Sequence, residues 1–219
     1  FSLHWYESIA CDPAVWQAFR NSLTVGVVVS LVSTVLGFTA AYTDFRYSFF
    51  GKSIYMALAL LPPTIAVVIM GLAMLAFLSR IGLSGEIYAV MISHIVMCAP
   101  FAMAVIRMRL AQMDPNIEAA AWNLGANQWK AMRYVILPFT APSIFAALFV
   151  TMAVSFDEFA VAWFVSGLNE TVPVRILNTL QGQVSPTINA IGTIVFITTM
   201  TLVILAQLLL MRRRKPASA

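Results

Sequence analysis

The sequence predicts an all-α, polytopic membrane helix bundle, and three observations carry that expectation. The first is composition: 61% of the 219 residues are hydrophobic and 10% are charged, against about 25% charged in an ordinary soluble domain. A soluble single domain is excluded. The second is the spacing of charges, with 23 uncharged residues between Arg20 and Asp44, 27 between Lys52 and Arg80, 20 between Glu86 and Arg107, and 23 between Arg133 and Asp157. Each gap can cross about 30 Å of hydrocarbon as a helix, and a further apolar run from Ile188 to Met211 makes five spans. The third is charge sidedness. Taking the loops alternately, Arg46, Lys52, Arg107, Arg109, Lys130, Arg133 and the tail Arg212 to Lys215 fall on one side, and Arg20, Arg80 and Arg175 on the other. The basic side is expected to be cytoplasmic, which places the C-terminus inside and, with five spans, the N-terminus outside. Phe1 to Arg20 has no signal-peptide pattern, so a first span is expected ahead of Phe1. The net charge of +4 follows from this sidedness and is not read as a nucleic-acid surface.

The elements follow in order. Phe1 to Phe19 is an aromatic-rich lead-in whose Trp5, Tyr6 and Trp16 suit a membrane interface. The first span, about Asn21 to Tyr42, carries Ser22, Thr24, Gly26, Ser30, Ser33, Thr34 and Gly37, a density of small residues that favours close helix packing. The second, Ser53 to Leu78, is expected to kink or break at Pro62-Pro63, where two backbone donors are lost. Gly82 and Gly85 make a short turn, and the third span, Ile87 to Ile106, contains His94 and Pro100. The segment 107–137 holds six charges and is far longer than a bundle turn needs. Asp114-Pro115 starts an Ala-rich helix ended by Gly125, and a second short helix runs from Asn127 to Val135, making a surface helix-turn-helix. The fourth span opens at Pro138 and reaches Asp157-Glu158. The segment Ala160 to Thr187 carries turn signals at Ser166-Gly167 and Ser185-Pro186, and Ala160 to Val165 is placed to re-enter the membrane. Cys11 and Cys98, one outside and one within a span, are not expected to pair.

Four groups of residues bear on function. Trp122 and Trp129 are anchors of the size that dominates interfaces, with membrane-surface aromatics as the alternative. Asp157 and Glu158 are adjacent carboxylates in an otherwise uncharged stretch. Ionisable residues at membrane depth usually face a bundle interior or an aqueous cavity, and Phe156, Phe159, Trp163 and Phe164 are available beside them for cation–π contacts. The alternative is a solvated pair, or a partner for Arg175. His94, with no second His or carboxylate at i±3 or i±4, reads as a helix–helix hydrogen-bonding residue and not a metal ligand. Gly51-Lys52-Ser53 lacks the first glycine and the strand of a phosphate-binding loop. No nucleophile–base arrangement is present, and the chain is expected to be neither catalytic nor ATP-binding.

The run Glu118-Ala119-Ala120-Ala121-Trp122-Asn123-Leu124-Gly125-Ala126, followed by Val135-Ile136-Leu137-Pro138, resembles the EAA loop of permease subunits in binding-protein-dependent ABC importers. The spacing matches from Gly125 to Pro138; Glu118 stands one place ahead of the family Glu, whose position holds Ala119, and Val135 replaces an Ile. The turn Phe45 to Lys52, Ser155-Phe156-Asp157-Glu158 and Ser185 to Ala190 look like spermidine/putrescine-type permeases along nearly the whole chain. The resemblance implies one type I importer permease domain, 1–219, with a coupling loop at about 107–137 in which Glu118, Ala119, Ala120, Gly125, Trp129, Leu137 and Pro138 meet the ATPase. It implies a second permease subunit forming a heterodimer, an ATPase dimer that uses ATP and Mg, an extracytoplasmic solute-binding protein and a bacterial inner-membrane location, with no cofactor on this chain. For a polyamine or related cationic amine, Phe156, Asp157, Glu158 and Trp163 would line the path. The alternative is a self-contained secondary transporter or channel.

Overall fold

Where the sequence is free of charge the backbone must satisfy its own hydrogen bonds, and helices result. The computed structural model describes residues 9, 11–114, 116–182 and 186–211. Trp5, Tyr6, Pro115, Ser185 and the basic tail lie outside the described residues.

Helix α1 is Pro13–Arg46, 34 residues long. It starts earlier than the charge gap predicted, because Asp12 accepts from the Ala14 N–H at 2.9 Å and Pro13 fills the first turn, a cap-and-proline start that Arg20 does nothing to delay. Its stripe of Ser22, Gly26, Ser30, Ser33, Thr34 and Gly37 is buried among neighbouring helices, as small residues at bundle interfaces should be. The second crossing is divided into α2 (Lys52–Leu60), a 3₁₀ turn at Pro62–Thr64 and α3 (Val67–Arg80), the break falling at the tandem proline. Helix α4 (Ile87–Leu110) runs through Pro100 and four residues past the predicted end.

The helix-turn-helix forms as α5 (Asn116–Asn123) and α6 (Gln128–Ala131), but α6 does not end before the next span. A π-turn at Met132–Ile136 joins it to α7 (Leu137–Asp157), giving one apolar 30-residue helix, Gln128–Asp157. Helix α7 opens with Pro138 in its first turn, as expected, but the helical backbone continues into it from α6 without a break. A proline inside an α-helix clashes with the carbonyl one turn back, and the wider π-turn just ahead of it moves that carbonyl, so the helix continues.

After Asp157 come α8 (Ala160–Val165), α9 (Val172–Gly182) and α10 (Thr187–Met211). Helix α9 was not legible as a helix; its start is held from outside, the Val172 N–H donating to Ser22 Oγ at 2.8 Å while Asn21 Nδ2 donates to the Glu170 carbonyl at 3.0 Å. Helix α8 returns into the bundle, with Val161, Ala162 and Val165 fully buried. Among the described residues, four helices are long and apolar enough to cross a membrane; the fifth expected crossing is the divided α2–α3 pair.

Helices α1 and α4 run parallel and pack directly on each other, and α7 runs antiparallel to both and packs against each. At Gly37 a Cβ would stand 2.6 Å from Ala102 Cβ and 2.6 Å from the Met103 N. On the other flank of α4, His94 Nδ1 lies 2.9 Å from Ser155 Oγ, both buried, and Cys98 Sγ donates to the Thr151 carbonyl at 3.8 Å. His94 is therefore the interhelical hydrogen-bonding residue that its isolation predicted.

Candidate functional site

Two regions carry the residues singled out above, one at each end of the bundle. At the basic end, Asp114 Oδ1 accepts from the Asn116 N–H at 2.8 Å and starts α5. The helix closes with Gly125 N–H donating to the Trp122 carbonyl at 2.8 Å and Ala126 N–H to the Ala121 carbonyl at 3.0 Å. That closure needs a left-handed residue, and Gly125 supplies it at φ +83°. Asn127 Oδ1 then caps α6, accepting from the Lys130 N–H at 2.8 Å.

The loop hangs from the end of α1. Glu118 is buried and ion-paired with Arg46, whose guanidinium also lies 4.5 Å from the centre of the Trp122 ring. Gln128 Nε2 donates to Tyr47 Oη at 3.1 Å. Ala119, Ala120, Gly125 and Trp129 face outward on α5, the turn and α6, and Leu137 and Pro138 are exposed at the start of α7. The outer face is apolar, with Leu124 89% and Trp129 82% exposed. Of the seven residues predicted for this loop, six are exposed and Glu118 is buried.

Beneath the loop lies a charge cluster that sequence reasoning missed. Asp44 is buried and accepts from Arg107 Nε at 2.6 Å, with Lys52 Nζ 3.3 Å away, tying the ends of α1, α2 and α4 together. A lone acid amid basic loop residues was the available signal.

At the opposite end the four predicted path residues separate. Asp157 is the last residue of α7 and exposed, not deep within the span, because the helix ends on it. Its side chain lines a cleft of about 520 Å³ between α7, α9 and α10, with Phe159, Leu177, Phe196 and Thr199. Among the described residues its carboxylate has no hydrogen-bond or ion-pair partner. Glu158 Oε1 accepts from the Val161 N–H at 3.0 Å and so starts α8, while also lining a smaller neighbouring cavity with Asp157 and Thr199. Phe156 points the other way into a core with Val15, Ala18 and Val195, its ring 6.3 Å from that of Phe19. Trp163 is half-exposed on α8, 5.1 Å from the Phe164 ring. Arg175 pairs with Glu170, whose Oε2 accepts from it at 3.4 Å, and not with Asp157 or Glu158.

A helical bundle that crosses the membrane repeatedly and carries one ordered helix-turn-helix on its basic end is the architecture of a multi-pass membrane transport subunit. The chain belongs to the family of binding-protein-dependent transport system inner membrane components, whose profile matches residues 33–216. It is 29% identical over 210 residues to the spermidine/putrescine transport system permease protein PotC of Haemophilus influenzae, covering 95% of this chain and 82% of that one. It is 30% identical over 203 residues to the putrescine transport system permease protein PotI of Escherichia coli K12, covering 89% and 72%. The fold matches a bacterial ABC transporter involved in alginate import with a TM-score of 0.79 at 17% identity, over 98% of this chain and 85% of that one. It matches the MetNI methionine ABC transporter with a TM-score of 0.75, also at 17% identity, over 90% and 95%. The protein is thus an ABC importer permease subunit, and the reading as a self-contained secondary transporter or channel is set aside.

Proposed function

We propose that this subunit forms half of a translocation pathway for a small cationic amine of the polyamine kind, in a bacterial inner membrane, with its C-terminus in the cytoplasm. The observation that carries the substrate class is the unpaired Asp157 carboxylate in an aromatic-edged cleft, together with relatives named for spermidine and putrescine. Family membership alone leaves the substrate open, since a probable sulfate transport system permease protein of Chlorella vulgaris is 26% identical over 173 residues. A carboxylate at the mouth of a low-dielectric path concentrates cations and replaces part of the hydration they lose on entry. Phe159, 49% exposed beside it, offers a ring face to an ammonium group.

The complex needs a second, non-identical permease subunit, an ATPase dimer that binds ATP and Mg, and an extracytoplasmic binding protein. The loop 107–137 is the coupling element. Leu124 and Trp129 present an apolar face, and truncating a tryptophan that anchors in a partner's cleft costs about 2 kcal/mol or more where it is a hot spot. When the ATPases close on ATP, α5 and α6 move with them and the helices alternate between outward-open and inward-open. The chain itself exchanges site exposure and performs no covalent step.

The test is uptake into proteoliposomes holding the assembled complex and its binding protein. Spermidine uptake driven by ATP, lowered by Asp157→Asn with basal ATP hydrolysis intact, is the expected result. Uptake of only neutral or anionic solutes, or an unchanged rate in the variant, overturns the substrate class. Loss of ATPase co-purification in Trp129→Ala, with the subunit still inserted, checks the coupling role.

A further inference from the structure

We propose that the Glu118–Arg46 ion pair is the pin through which α5 drives α1, so that Glu118 acts as a positioning residue inside this subunit and not as a contact with the ATPase. The proposal rests on the coupling role of α5 and says where motion received there goes next.

Three observations carry it. First, Glu118 faces the bundle: its side chain is 7% exposed and that of Arg46 18%, whereas its neighbours Ala119 and Ala120 are on the outer face. Ala119, one step further and about 100° around the helix, is exposed, so Glu118 is on the side of α5 that meets α1. Second, one guanidinium is gripped twice. Glu118 and Trp122 are four residues apart, on one face of α5, and Arg46 pairs with the first while stacking 4.5 Å above the second. Among the described residues no other side chain of α5 makes a hydrogen bond or ion pair with α1. Third, the grip has a reserve acceptor. Glu118 Oε1 is buried with no hydrogen-bond partner among the described residues, and so is the hydroxyl of Tyr42, which stands one turn before Arg46 on the same face of α1. As α5 shifts, the carboxylate can take a hydrogen bond from Tyr42 without releasing Arg46, so α1 stays engaged through the stroke.

What α1 would do with that motion follows from its length. It is a single uninterrupted helix of 34 residues, and at its far end Asn21 and Ser22 hold the start of α9, beside the Asp157 cleft. A displacement at Arg46 would therefore arrive, along one continuous helix, at the element that lines the cleft at the opposite end of the bundle.

The experiment uses the full-length subunit assembled with its ATPase and second permease, reading solute uptake per ATP hydrolysed. Absence of ATP-driven uptake or of ATPase co-purification in the wild type defeats the coupling reading itself, before any variant is made. With the wild type active, Glu118→Gln and Arg46→Met should each assemble with the ATPase and hydrolyse ATP, yet lose about tenfold in uptake per ATP, since each leaves a buried charge without its partner. Arg46→Lys, which keeps the charge but not the planar stacking fork, should fall between. The exchanged pair, Glu118→Arg with Arg46→Glu, should recover most of the ratio. Wild-type coupling in assembled single variants overturns the pin. Loss of ATPase binding in Glu118→Gln with full coupling in Arg46→Met overturns it in favour of a direct ATPase contact. Failure of the exchanged pair to recover while the single variants are uncoupled overturns it as well.

Discussion

Replacing Gly37 by alanine tests whether the bundle is organised by contact between the α1 and α4 backbones. The added Cβ would lie 2.6 Å from Ala102 Cβ, 2.6 Å from the Met103 N and 2.8 Å from the Ala102 carbonyl carbon. Carbon atoms rest at about 3.5–4.0 Å, so the helices must part by about 1 Å at this level. Two of the three obstructing atoms are backbone, which no rotamer change relieves. Overpacking of this kind costs about 1–3 kcal/mol. Against it stands the gain of about 0.5–1 kcal/mol from removing a glycine from a helix interior, leaving a net loss of about 1–2 kcal/mol. Gly26 on the same helix is the control: there a Cβ meets Met152 Cγ at 3.7 Å, an ordinary contact, so Gly26→Ala should be neutral or slightly stabilising. Melting midpoints in detergent should fall by about 2–8 °C for Gly37→Ala and hold or rise for Gly26→Ala. Equal midpoints for the two variants would refute the close α1–α4 approach.

Three further outcomes follow from the geometry. At Gly125 the difficulty is the positive φ and not space, since nothing lies within 4 Å of a built Cβ; Gly125→Val should cost about 1–2 kcal/mol and uncouple uptake from ATP hydrolysis, while Gly125→Asn should be milder. Equal loss in both, measured as uptake per ATP, would place the cause elsewhere. Asp44→Asn strips the anion facing Arg107 and Lys52; because those side chains are 50% and 36% exposed, the loss should be about 1–2 kcal/mol, below that of a fully buried pair, and an unchanged melting midpoint contradicts it. Single cysteines at Phe50 and Leu168, in a background lacking Cys11 and Cys98, should react with an impermeant maleimide from opposite faces of the membrane; labelling from one face defeats the assigned topology.

Spans, breaks and motif could be read from the chain because each is settled by physics local in sequence. Burying about twenty uncharged residues as a helix needs no partner to be known, Pro62 and Pro63 lose their N–H groups wherever they sit, and Gly125 ends a helix by its own backbone freedom. His94 could be read as an interhelical bond because a lone polar group in a span must find one, although Ser155 could not be named. The structure alone decided which ends meet. The joining of α6 to α7 through Met132–Ile136, the choice of Glu170 over Asp157 by Arg175, the convergence of Lys52 and Arg107 on Asp44 and the inward turn of Glu118 onto Arg46 all depend on residues far apart in the chain. Charge and hydropathy record that a side chain needs a partner or a solvent; helix ends that are adjacent only after packing determine which partner it finds, and a step of one residue along α5 is enough to turn a carboxylate from the outer face to the inner one.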